Sequence, residues 1–98
     1  MTEIILRSAN VSKAATVIRN AIDKEIARLE KGTERAIARL TQFEEKYQVS
    51  SSEFVERFAA EDLAGKDLEY VEWIGEYRLY QQLTEDLTLL RNLTYVAS

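Results

Sequence analysis

The chain has 98 residues, 46% of them apolar and 31% charged, with a net charge of −4. This is one domain's worth of sequence, and its ordinary apolar fraction argues against disorder. It contains no Cys and no His, which excludes disulfides, thiolate nucleophiles, Ser–His–Asp chemistry and the Glu-x-x-His di-iron motif. There is no apolar run long enough to span a bilayer, and Met1-Thr2-Glu3-Ile4-Ile5-Leu6-Arg7 has no basic leader, so a soluble cytoplasmic protein is expected. With no proline and three glycines, the expected class is all-α, with long helices.

Residues 1–11 read as an N-terminal arm, in which Glu3-Ile4-Ile5-Leu6-Arg7 suits a short strand. Ser8, Asn10 or Ser12 can then cap a helix. Val11, Ala15, Ile18, Ile22, Ile26, Leu29, Thr33, Ala36, Leu40, Phe43 and Tyr47 follow at steps of three and four, the α-helical period. The phase holds across Gly32, so one helix is expected over 12–48; a break at Lys31-Gly32-Thr33 is the rival reading. Ser50-Ser51-Ser52-Glu53 has capping-box form, with Val49 and Phe54 placed as its hydrophobic staple. A short helix over 51–62 is expected from it, with Phe54, Val55, Phe58 and Ala59 on its apolar side. Leu63-Ala64-Gly65-Lys66 turns the chain, and Asp67 can cap a last helix over about 68–93. Residues 51–93 thus form an acidic and aromatic helical region within a single helical domain.

A 37-residue helix is about 55 Å long, whereas a compact chain of this length has a radius of gyration of about 13 Å. The first helix is therefore expected to overhang the rest. Its stripe Ile18, Ile22, Ile26 and Leu29 is the candidate oligomer interface, to be covered by a second copy or another protein. The last helix has two sides: Tyr70, Trp73, Ile74 and Tyr77 on one, and Leu79, Leu83, Leu87 and Leu90 on another turned by about 120°. Glu69, Glu72 and Glu76 lie in line with the leucines.

Charge is uneven. Residues 1–48 carry a net +2 and residues 53–76 a net −6. Lys13, Lys24, Arg28, Lys31, Arg35 and Arg39 form a basic stripe on the first helix, which fits either phosphate contact or a solvated face balanced by Asp23 and Glu34. A strand followed by helices resembles ribbon-helix-helix repressors, although the first helix is far longer than theirs. The triad Glu69, Glu72 and Glu76 fits an oxygen-only Mg²⁺ or Ca²⁺ site, a solvated face, or a contact for a basic partner. Trp73 with Tyr70, Tyr77 and Tyr80 fits core packing or a partner contact.

Phe43-Glu44-Glu45-Lys46-Tyr47, then Ser51-Ser52-Glu53-Phe54 and Phe58, then Asp67-Leu68-Glu69-Tyr70, Glu72-Trp73 and Tyr77 resemble a group of small helical prokaryotic proteins. These are encoded beside RNase-like toxins and look like antitoxins of type II toxin–antitoxin pairs. The resemblance covers roughly the C-terminal half. It implies a protein that binds and silences a toxin, and the expected reading is a binding module, not an enzyme, with no cofactor or metal. The residues expected to contact the toxin are Glu69, Glu72, Trp73, Glu76, Tyr77, Tyr80, Leu83, Leu87 and Leu90. The alternatives are a helical homo-oligomeric structural or adaptor protein and a DNA-binding autorepressor.

Overall fold

A computed structural model describes residues 2–61 and 68–97, in the order β1 (Thr2–Leu6), α1 (Val11–Tyr47), α2 (Ser51–Glu61), α3 (Leu68–Arg91) and β2 (Leu93–Ala97). The helices, of 37, 11 and 24 residues, account for well over two thirds of the chain. The expected helical class, with one long, one short and one long helix and an N-terminal strand, is what the structure shows.

Asn10 caps α1: its side-chain oxygen accepts from the Lys13 N–H at 3.0 Å. The helix runs unbroken through Gly32. A Cβ at Gly32 would sit 3.3 Å from Leu83 Cδ1, so the glycine lets α3 approach α1 closely and does not end the helix. All eleven residues of the apolar stripe from Val11 to Tyr47 are buried or half-buried, as an α-helix with one covered face requires. The helix stops where Gln48 adopts left-handed backbone, φ 54° and ψ 44°. The Ser50 hydroxyl then accepts from the Glu53 N–H at 3.2 Å and starts α2, and Val49 and Phe54 join one apolar cluster, as a hydrophobic staple does.

α3 packs along α1 and builds two adjoining cores. The first holds Leu40, Phe43, Phe54, Trp73 and Ile74; the second holds Leu29, Ala36, Leu83 and Leu87. The result is a rod of 57 × 22 × 19 Å with a radius of gyration of 18.9 Å. That is far more extended than a compact chain of about 100 residues, near 13 Å.

The last helix ends at Arg91, short of the expected residue 93, and the chain continues as a strand that sequence reading did not foresee. β1 and β2 form a two-stranded parallel sheet, in register from Thr2 opposite Leu93 to Leu6 opposite Ala97. Leu93-Thr94-Tyr95-Val96 is rich in β-branched and aromatic residues, which favour strand over helix once a partner strand is present. The turn at 63–66 and the cap at Asp67 lie outside the described residues, as do the side chains of Phe58 and Ala59.

Candidate functional site

Of the two readings of Trp73, core packing and a partner contact, the structure shows the first: it has no exposed surface. Its ring stacks on Phe54 of α2 at 3.9 Å between centroids and 6° between planes. Phe43 and Tyr47 of α1 stack at 5.3 and 5.4 Å. Its indole N–H donates to the Ser51 hydroxyl at 2.9 Å, and the Ser51 N–H donates to the Glu44 carboxylate at 2.7 Å. Trp73 is thus the keystone where three helices meet, and no partner reaches it in this conformation. Tyr77 and Tyr80 are half-buried, with rings stacked at 6.4 Å. Both pack against the first core from its rim.

The leucines are likewise engaged within the chain. Leu83 and Leu87 are buried against Leu29 and Ala36, with Leu90 and Ile26 packed on the same cluster. Leu29, assigned to the oligomer interface, is 2% exposed, while Ile18, Ile22 and Ile26 are half-buried. The two differently turned sides of α3 do have two neighbours, but both are in this chain. The aromatic side meets α2 together with the C-terminal part of α1, and the leucine side meets the middle of α1. Only Leu79 departs from its stripe and is 47% exposed.

The acids lie on the surface. Glu69 accepts two hydrogen bonds from Lys46 Nζ, at 2.8 and 2.9 Å. Glu72 pairs with Arg39 at 3.2 Å, whose guanidinium lies 4.8 Å from the Phe43 ring centre. Glu76 is half-buried and has no ion pair among the described residues. Hydrogen bonding to Lys46 holds the Glu69 carboxyl below its ordinary 4.5, and hydrogen bonding to Glu69 raises Lys46 above its ordinary 10.5. A depressed carboxyl stabilises the fold above its unfolded value and loses that contribution as pH falls through its folded value. The melting temperature of Glu69→Gln is therefore expected to lie slightly below that of the parent at neutral pH. The gap is expected to shrink as pH falls below the ordinary carboxyl value of 4.5 and to narrow with added salt.

A face that sequence reading missed runs along the outside of α3. Leu68, Val71, Gly75, Leu79, Gln82, Asp86 and Leu89 succeed one another at steps of three and four. Four of the seven exposed large apolar side chains in the described residues belong to it: Leu68 at 76%, Val71 at 44%, Leu79 at 47% and Leu89 at 54%. Gln82 and Asp86 bridge the gap with a hydrogen bond of 3.0 Å. At Gly75 an added Cβ would meet nothing within 4 Å, so no contact within the described chain requires glycine there. In mid-helix it costs about 1 kcal/mol relative to alanine. The signal was present as an apolar 3–4 spacing, but the leucine stripe beside it overlapped in phase and hid it.

Among the described residues no group of His, Cys, Asp or Glu could hold a metal ion, and no helix is long and apolar enough to cross a membrane. Of the basic stripe on α1, Arg28 is paired with Glu25 at 2.6 Å and Arg39 with Glu72. Comparison with known protein families, curated proteins and solved structures finds no match for this chain.

Proposed function

We propose that this protein is an antitoxin-like binding module of the prokaryotic cytoplasm, acting by binding and not by catalysis. Its target is a cognate toxin of ribonuclease type. The outward face of α3 carries this reading: Leu68, Val71 and Leu79 are exposed around an open Gly75, with Glu72 and Glu76 along one flank. Exposed apolar side chains grouped on one helix face, bordered by acids, are a helix-in-groove surface for a basic partner. An RNA-cleaving enzyme has a cationic cleft for phosphates, and carboxylates can occupy such positions and exclude the substrate. The resemblance of residues 43–93 to antitoxins of type II pairs supports the same reading.

The test begins with capture of partners from the native host by the tagged full-length chain. The captured protein, expressed alone, should halt growth and degrade RNA, and co-expression of this chain should restore growth. Glu72→Lys/Glu76→Lys should lose that protection, whereas Glu72→Gln/Glu76→Gln should keep most of it. Glu72→Lys also breaks the Arg39 pair, and Glu72→Gln, which loses that pair without reversing the charge, is the control for it; Glu69, held by two hydrogen bonds from Lys46, is left intact. A Lys variant that remains helical by circular dichroism and protects as well as the parent would overturn the proposed surface. A captured protein without toxicity would overturn the function.

A further inference from the structure

The β1–β2 sheet has only two strands among the described residues, so each strand has an outer edge without a third strand. Two-stranded sheets are marginal, and open edges are templates for further pairing. The two edges differ in sequence. Leu93–Ala97 has no charged residue, whereas β1 and the residue after it read Glu3-Ile4-Ile5-Leu6-Arg7. Glu3, Ile5 and Arg7 are exposed, with Ile5 at 58%, while Ile4 is half-buried and Leu6 is buried. The segment thus has a covered side and an exposed side, and opposite charges stand at equal distance on either side of Ile5. Neither Glu3 nor Arg7 has an ion pair among the described residues.

We infer that β1 pairs antiparallel with β1 of a second copy, about a two-fold axis at Ile5. In an isologous contact, residue i meets residue j and j meets i. Centring the axis on Ile5 sets Glu3 of each copy opposite Arg7 of the other, Ile4 opposite Leu6, and Ile5 opposite itself. Centring it on Ile4 sets Glu3 opposite Ile5, and centring it on Leu6 sets Glu3 opposite Ala9, so only the Ile5 register matches both charges. Pairing makes a four-stranded sheet in the order β2-β1-β1-β2, unites the covered sides of the two short sheets, and occupies both β1 edges. Directly opposed unlike charges stabilise such pairs, and like charges oppose them. The dimer lies at the Asn10 end of α1, whereas Gly75 adjoins the Trp73 core at the other, so two copies present two separate α3 faces.

The test is sedimentation equilibrium of the full-length chain over micromolar to millimolar concentrations. The parent should dimerise, more weakly at high salt. Glu3→Arg alone and Arg7→Glu alone each set two like-charge pairs in every dimer and should weaken association at least about tenfold. The double variant Glu3→Arg/Arg7→Glu restores complementarity and should restore the dimer. Circular dichroism checks that each variant keeps the parent's helix content, and rescue by the double variant separates lost pairing from lost folding. A parent that stays monomeric throughout overturns the inference. So does a dimer indifferent to the single reversals, which would place the contact elsewhere, as on Ile18 and Ile22, and so does a folded double variant that fails to re-dimerise. None of these substitutions alters the α3 face, so toxin neutralisation by the monomeric variants reports separately on the proposed function.

Discussion

Trp73→Ala should be the most damaging single substitution in the chain, with an expected loss of about 3–5 kcal/mol in urea unfolding followed by far-UV circular dichroism. The indole is fully buried and stacked on Phe54, Phe43 and Tyr47. Truncation leaves a cavity where residues of α1, α2 and α3 meet. Domains of this size have total stabilities of about 5–15 kcal/mol, so the variant should be close to its unfolding limit. Two milder changes divide the effect. Trp73→Phe keeps a ring in the stack but removes the donor to Ser51, and Ser51→Ala keeps the stack but leaves the indole N–H unsatisfied. A buried donor without an acceptor costs about 1–3 kcal/mol. Both should therefore fall well short of the alanine variant. If Trp73→Ala leaves the unfolding midpoint near that of the parent, the junction is not the keystone described.

Gly75→Ala is expected to move two quantities in opposite directions. Stability should rise by about 1 kcal/mol, because alanine is the better helix former and the added methyl meets nothing within 4 Å. If the proposed toxin packs its backbone against α3 at Gly75, its affinity should fall at least about tenfold, because the methyl would occupy that space. Val71→Asp/Leu79→Asp should abolish binding with little effect on unfolding, since both side chains are substantially exposed. The unfolding midpoint and the affinity must be measured on the same preparations. A Gly75→Ala variant that is stabilised and binds as well as the parent would exclude a close approach at this position.

The two mid-helix glycines show what sequence could and could not reveal. The 3.6-residue period announced that α1 continues through Gly32, because periodicity is local and survives one weak helix former. The reason for the glycine is Leu83, fifty-one positions away, and only the fold supplies it. The cap at Ser50 was likewise legible, because a capping box is written within six residues. The fate of the α3 aromatics and leucines was not. Whether Trp73 and Leu87 face a partner or the chain's own α1 depends on how α3 returns along α1, and an amphipathic stripe does not name its neighbour. β2 was missed for the same reason: Leu93–Ala97 becomes a strand by pairing with residues at the far end of the sequence, and no local window contains both.

That pairing also sets an order of events. Thr2 and Leu93 become neighbours only when nearly the whole chain has been gathered between them, and closing so large a loop has a substantial entropic cost before any strand contact repays it. The return of α3 along α1 shortens the effective distance, so the strands should close after the helices have met. In the folded protein they should also be the first part to open, and amide hydrogens of β1 and β2 should exchange faster than those around Leu29, Ala36 and Leu40. The sheet is a latch on an already assembled helical rod: its opening frees a five-residue strand without disturbing the core around Trp73.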